Sequence, residues 1–115
     1  MASKDILINL AKDDFEKDEE IISIVSGALK KHINGKNTVR AGLVIATNKK
    51  IRFISKRFLK IYKDIIEYNV IEDVEVSEEK LGYRIFLKGK IQSFVIEFGE
   101  CEDINKFISY INNKK

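Results

Sequence analysis

The sequence predicts a mainly β domain: a bent antiparallel sheet or partly open barrel of about seven strands, capped by one C-terminal α-helix and preceded by a short N-terminal helix. Three observations predict it. Seven segments rich in β-branched and aromatic residues follow one another between Ile21 and Phe98, separated by short turn signals. Ile104, Phe107, Ile108 and Ile111 then recur at the i, i+3, i+4, i+7 spacing of a helix with one apolar face. No proline, repeat or low-complexity tract interrupts the 115 residues, a length at which a single core buries about two-thirds of the surface of the unfolded chain.

The elements follow in order. From Ser3 to about Lys17, Ile6, Leu7, Leu10 and Phe15 are roughly helix-spaced, with Ser3 as N-cap and Asp5 in the first turn, so a short amphipathic helix is expected. The charged cluster Lys17 to Glu20 separates it from the strand Ile21–Leu29. Asn34-Gly35 tolerates the positive φ of a type I′ turn and returns the chain as the strand Thr38–Ala46, with Val39, Ala41, Leu43 and Ile45 on one face. A second tight turn at Thr47-Asn48-Lys49 leads into Lys50–Ser55, where Ile51 and Phe53 share one side and Arg52, Ile54 and Lys56 the other. A sheet with one wet face accommodates charge at every second position, so Arg52 and Lys56 are expected to emerge into solvent, and an outward Ile54 to belong to a protein interface. Leu59–Ile66, Val70–Val76, Tyr83–Gly89 and Ile91–Phe98 complete the strands. Tyr83, Ile85, Leu87, Phe94, Ile96 and Phe98 are expected inside, and the opposite parity of Ile71 and Val74 demands a bulge or a strand start near Asp73. Glu102 and Asp103 begin the last helix and Lys114 and Lys115 end it, matching its dipole. The expected division is a helical extension over residues 1–18 and a β domain over 19–115.

No apolar run approaches the roughly 18 residues of a membrane span, and the first residues lack the pattern of a secretory leader, so the expected compartment is the cytoplasm. The one cysteine, Cys101, cannot form an internal disulfide and is expected to be a structural thiol. One Cys and the single histidine, His32, cannot close a zinc site, the acids lack calcium-loop spacing, and the six glycines form no phosphate loop or dinucleotide fingerprint. No nucleophile elbow accompanies His32, which is expected to be a solvated turn residue. Neither a catalytic group nor a metal or cofactor is therefore expected.

Charge is the strongest signal. The net charge of +3 divides into −4 over residues 1–20, +10 over residues 21–66 and −3 over the remainder. A basic segment folded onto one face focuses a field that draws anionic partners, or the acidic ends of the same molecule neutralise it; both readings stand at this level. The candidate binding residues are Lys31, Lys36 and Arg40 around the first hairpin and Lys49, Lys50, Arg52, Lys56 and Arg57 in the next. Only Phe53, Phe58 and Tyr62 interleave with these bases, too few stacking platforms for nucleic acid. The expected partner is an acidic protein first and an anionic membrane surface second, with a homo-oligomer as the alternative and a small enzyme or ligand-binding protein, built on a pocket that no motif marks, as a further one.

The stretch "GLVIATNKKIRFISK" followed by "DIIEYNVIEDVEV" resembles the bacterial pleckstrin-homology (PH) domain family of the YokE type, with GRAM domains as the close alternative. Gly42, Thr47, Asn48, Lys49, Lys50, Ile51, Phe53, Tyr68, Ile71 and Val74 carry the resemblance, which spans about residues 19–112. It implies two nearly orthogonal sheets capped by a C-terminal helix, and a non-enzymatic interaction or scaffold module. Phosphoinositide-binding relatives resemble one another in a basic-x-Arg triplet on the second strand, where this chain has Thr38-Val39-Arg40 and so lacks the first base.

Overall fold

Alternation along each strand, and one helix at either end of the chain, generate the architecture of the computed structural model, which describes residues 3–33 and 35–115, those of 32 and 33 in backbone only. Helix α1 spans Lys4–Lys12; strands follow as β1 (Ile21–Ile33), β2 (Lys36–Thr47), β3 (Ile51–Arg57), β4 (Lys60–Ile66), β5 (Ile71–Glu79), β6 (Gly82–Gly89) and β7 (Phe94–Cys101); helix α2 spans Ile104–Lys114. The strands form one antiparallel sheet in the order β4-β3-β2-β1-β7-β6-β5, bent but not closed, so β4 and β5 are its two edges. The expected turn residue Asn34 and the His32 side chain lie outside the described residues.

Both helices start where their caps dictate. The Ser3 hydroxyl accepts from the Ile6 N–H, and the Asp103 carboxylate accepts from the Lys106 N–H. α1 stops at Lys12 rather than near Lys17, because Asp13 and Asp14 place negative charge at the negative end of the helix dipole. α2 buries Phe107 and Ile111 completely, and they meet Val25, Leu29, Phe53, Val74, Ile85, Leu87 and Ile96 from the concave face of the sheet. Ile104 and Ile108 pack at the margin of that core.

The convex face of β2 and β3 departs from expectation. It is not wet. α1 lies across it, and Leu7 and Ala11 bury Leu43, Ile45 and Ile54 in a second apolar cluster flanked by Ile8, Leu10, Phe15, Ile21 and Ile24. Ile54, expected to face a partner, is covered by the chain's own helix. The parity of β2 predicted that Leu43 and Ile45 share a face; what covers that face lies more than thirty residues away in sequence.

Two irregularities adjust the strands. The register shifts between Ile71 and Asp73 against β6, which lets both Ile71 and Val74 enter the core as their parity required. On β7, Glu97 and Glu100 pair with Ala28 and Ser26, so one extra residue sits on β7. Phe98 occupies that bulge with φ +57° and turns outward, 56% exposed, against the expectation that it joins Phe94 and Ile96 inside. Gly27 faces the bulge because a Cβ there would lie 2.8 Å from the Glu97 carbonyl oxygen.

Truncating either helix anchor tests the two-layer packing. Phe107→Ala should cost about 3–5 kcal/mol and Leu7→Ala about 2–5 kcal/mol, measured by urea denaturation with unchanged slope. A Leu7→Ala midpoint equal to that of the parent would mean that α1 does not cover the sheet.

Candidate functional site

The Thr47-Asn48 pair at the β2–β3 turn organises the charged side of the molecule. The Asn48 carboxamide accepts from the Glu20 N–H at 2.7 Å and donates to the Asp18 carbonyl at 2.9 Å, which binds the acidic loop after α1 to this turn. Asp18 reverses the chain with φ +63°. Glu19 is thereby delivered into the interior, where the Thr47 hydroxyl donates to its Oε2 at 2.7 Å. Arg52 meets the same carboxylate with both prongs, Nε to Oε2 at 2.7 Å and Nη2 to Oε1 at 2.8 Å, while the Glu16 N–H donates to Oε1 at 2.9 Å. The guanidinium also donates to the Asp14 carbonyl and lies over the Phe15 ring. Burial opposes the charge on Glu19, yet the donors around it, Arg52 first, hold its pKa down at about 2. Nearby, burial pushes the Tyr68 hydroxyl upward while it donates to the Thr47 carbonyl.

Arg52 therefore does not emerge into solvent. It is 6% exposed and paired with Glu19 through both Nε and Nη2, because α1 and the loop behind it cover the face on which it stands. Other predicted bases are consumed in the same way. Lys50 reaches Glu16 at 2.7 Å and Glu67 at 3.6 Å, and Lys31 reaches Asp64 at 2.6 Å. The hydrogen bond from Lys50 holds the Glu16 carboxyl below its usual range. Lys30 and Lys63 pair with Glu97 and Asp14.

What remains is concentrated elsewhere. Among the described residues no ion pair engages Lys36, Arg40, Lys49, Lys56, Arg57 or Lys60. Lys49 sits alone in the β2–β3 turn. Arg40, Lys56 and Arg57 line one groove of about 880 Å³ between the distal half of β2 and the end of β3, together with Thr38, Val39, Ala41, Ser55, Phe58, Tyr62 and Ile6. No acid lines it. Arg40 stacks on Tyr62 with its guanidinium carbon 3.9 Å from the ring centre, and Lys60 approaches the same ring at 5.2 Å. At the groove's rim the β3–β4 turn projects Phe58 and Leu59, 88% and 98% exposed. Of the predicted binding residues the structure thus gathers Arg40, Lys56 and Arg57, places Lys36 at the start of β2, and separates Lys31, Lys49, Lys50 and Arg52 from them. The acidic residues that sort these bases, Asp14, Glu16, Glu19 and Asp64, entered the sequence reading only as a general neutralisation of the basic segment, without their individual partners. The signal was Ile54, a large apolar residue that shares a face with Arg52 and Lys56 and has no place on a wet sheet.

Cys101 is half-buried, its Sγ 3.8 Å from the Ser23 hydroxyl and packed on the main core. It pairs with Val25 on β1, seven residues from position 32, a separation of about 23 Å along an extended strand. The backbone therefore keeps it apart from His32.

The buried pair yields a signed prediction. Because the folded-state pKa of Glu19 lies below its ordinary value of 4.5, its stabilising contribution is fully present above about pH 4.5 and is lost as pH falls toward 2. Glu19→Gln should cost about 3–5 kcal/mol at neutral pH and flatten the acid-unfolding profile between those values, followed by circular dichroism. Parallel profiles for the two proteins would remove Glu19 from the acid response.

Comparison with known proteins places this geometry. A search of curated proteins gives no match. Among solved structures, the C-terminal domain of an unknown protein from Leishmania infantum is similar in fold, with a TM-score of 0.55 and 16% identity over 96% of this chain and 92% of that one. The profile of the bacterial PH domain matches residues 15–113, from the Phe15 that packs under Arg52 to the last turn of α2. PH domains are typically non-catalytic binding modules, and with that match, over an open seven-stranded sheet capped by its C-terminal helix, the chain belongs to the bacterial PH domain family.

Proposed function

We propose that this domain binds an acidic segment of a partner protein, weakly and without catalysis, in the groove between β2 and β3. One observation carries the reading: after intramolecular pairing has absorbed much of the basic segment, Arg40, Lys56 and Arg57 share a groove with Val39, Phe58 and Tyr62 and no carboxylate. Cations without acidic partners keep their full interaction with an incoming anion, and the apolar walls lower the effective dielectric around it. The Arg40 guanidinium, stacked on Tyr62, is held ready at little entropic cost. An anionic membrane surface is the second outcome, because the exposed Phe58-Leu59 turn stands between Arg57 and Lys60.

Changing Arg40, Lys56 and Arg57 together to Glu tests the reading. Each such ion pair contributes about 0.2–1 kcal/mol, so the joint loss of three should weaken binding of a fluorescent glutamate-rich peptide by roughly three- to 150-fold. Lys49→Glu, at the far end of β2, should leave that binding unchanged. Vesicles with anionic or neutral lipid, at low and physiological salt, form the parallel arm. Full binding by the triple variant, or equal loss in Lys49→Glu, contradicts the groove assignment; binding to anionic vesicles alone transfers it from peptide to membrane.

A further inference from the structure

The ladder between β2 and β3 stops early. β2 is twelve residues long, yet it pairs with β3 only from Leu43 to Ala46, and among the described residues its distal half forms a strand ladder with β1 only. β3 likewise continues past Ile54 bonded only to β4. The cause lies at Gly42, where β2 crosses so close to the Ile54 carbonyl that no Cβ fits, and where the Ser55 hydroxyl donates to the Ala41 carbonyl at 2.6 Å in place of a backbone partner. Beyond that crossing two strand edges face one another across the basic groove. An unpaired strand edge is a template for another strand, and proteins ordinarily blunt or cover it. Here it is lined instead by the half-exposed Val39 and by the exposed Phe58, which adopts φ +56° at the rim, a conformation that bulky residues rarely hold.

Resting on the reading of the groove given above, we infer that the acidic segment binds as an extended strand, adding its backbone to the free edge of β2 beyond Gly42. Side chains of an extended strand alternate in direction. A segment that alternates acidic and apolar residues therefore sets its carboxylates against Arg40 and Arg57 on one face of the sheet and its apolar side chains against Val39 and the aliphatic stem of Lys56 on the other. Backbone pairing supplies affinity that is independent of sequence, while the alternating contacts select the partner, as in other cases of strand addition. The ligand class is an acidic β-strand peptide rather than any anion.

The test uses the full chain and a capped synthetic peptide of alternating Glu and Val. Two further peptides carry the same side chains with N-methyl groups on one or the other alternate set of backbone nitrogens. Adding a strand to one edge uses one set of peptide N–H groups, so one methylated peptide should bind at least tenfold more weakly than the parent and the other should bind like it. Amide hydrogens within residues 38–41 should exchange at least tenfold more slowly when the parent peptide is bound. Equal binding of the two methylated peptides, with no slowing on β2, overturns strand addition; if the triple Glu variant still loses binding in that case, the acidic-partner reading survives without it. Absence of binding by the parent peptide, or full binding by the triple variant, overturns both.

Discussion

A guanidinium and a carboxylate buried together, Arg52 and Glu19, hold the N-terminal segment across the convex face of the sheet. Desolvating two charges is expensive, and such a pair persists only where the geometry is bidentate and the remaining lone pairs are satisfied. Both conditions are met: Oε2 of Glu19 receives Arg52 and Thr47, and Oε1 receives Arg52 and the Glu16 N–H. The Asn48 carboxamide fixes the loop that carries Glu19. With that loop in place α1 can cover Leu43, Ile45 and Ile54, which would otherwise leave an apolar patch beside a buried cation.

The same arrangement sorts the charge of the molecule. Asp14 and Glu16 lie beside Glu19 and engage Lys63 and Lys50, so the acidic N-terminal segment neutralises one end of the β2–β4 unit. The other end keeps Arg40, Lys56 and Arg57 without acidic partners. The two readings of the basic segment, a focused field or an internally neutralised one, thus each describe part of it. Attraction is confined to the end where β2 and β3 part, and the bacterial PH framework there presents a groove rather than a flat face.

Local periodicity made most of the fold legible. Alternation placed Ile51, Phe53, Ile85, Leu87 and Ile96 inside, the spacing of Phe107 and Ile111 defined the face of α2, and conflicting parity located the irregularity near Asp73. These signals lie within single elements. The bulge at Phe98 was not legible because it arises from the close passage of β7 over Gly27, a contact between strands. The site was only partly legible for the same reason. Arg40, Lys56 and Arg57 were visible as bases, but whether a base is free depends on carboxylates brought from a distance: Glu19 lies 33 residues from Arg52, and Asp14 lies 49 from Lys63. Charge counted along the chain cannot separate the spent cations from the available ones.

The central claim is that this separation, set by the buried Arg52–Glu19 pair, leaves one acceptor end on the domain. Chemical-shift mapping of the uniformly labelled chain during titration with the acidic peptide tests it most directly. The account predicts the largest changes within residues 36–41 and 55–62, and quiet amides from Asn48 to Arg52. Shifts centred on Lys49, Lys50 and Arg52, with residues 36–41 silent, would contradict it.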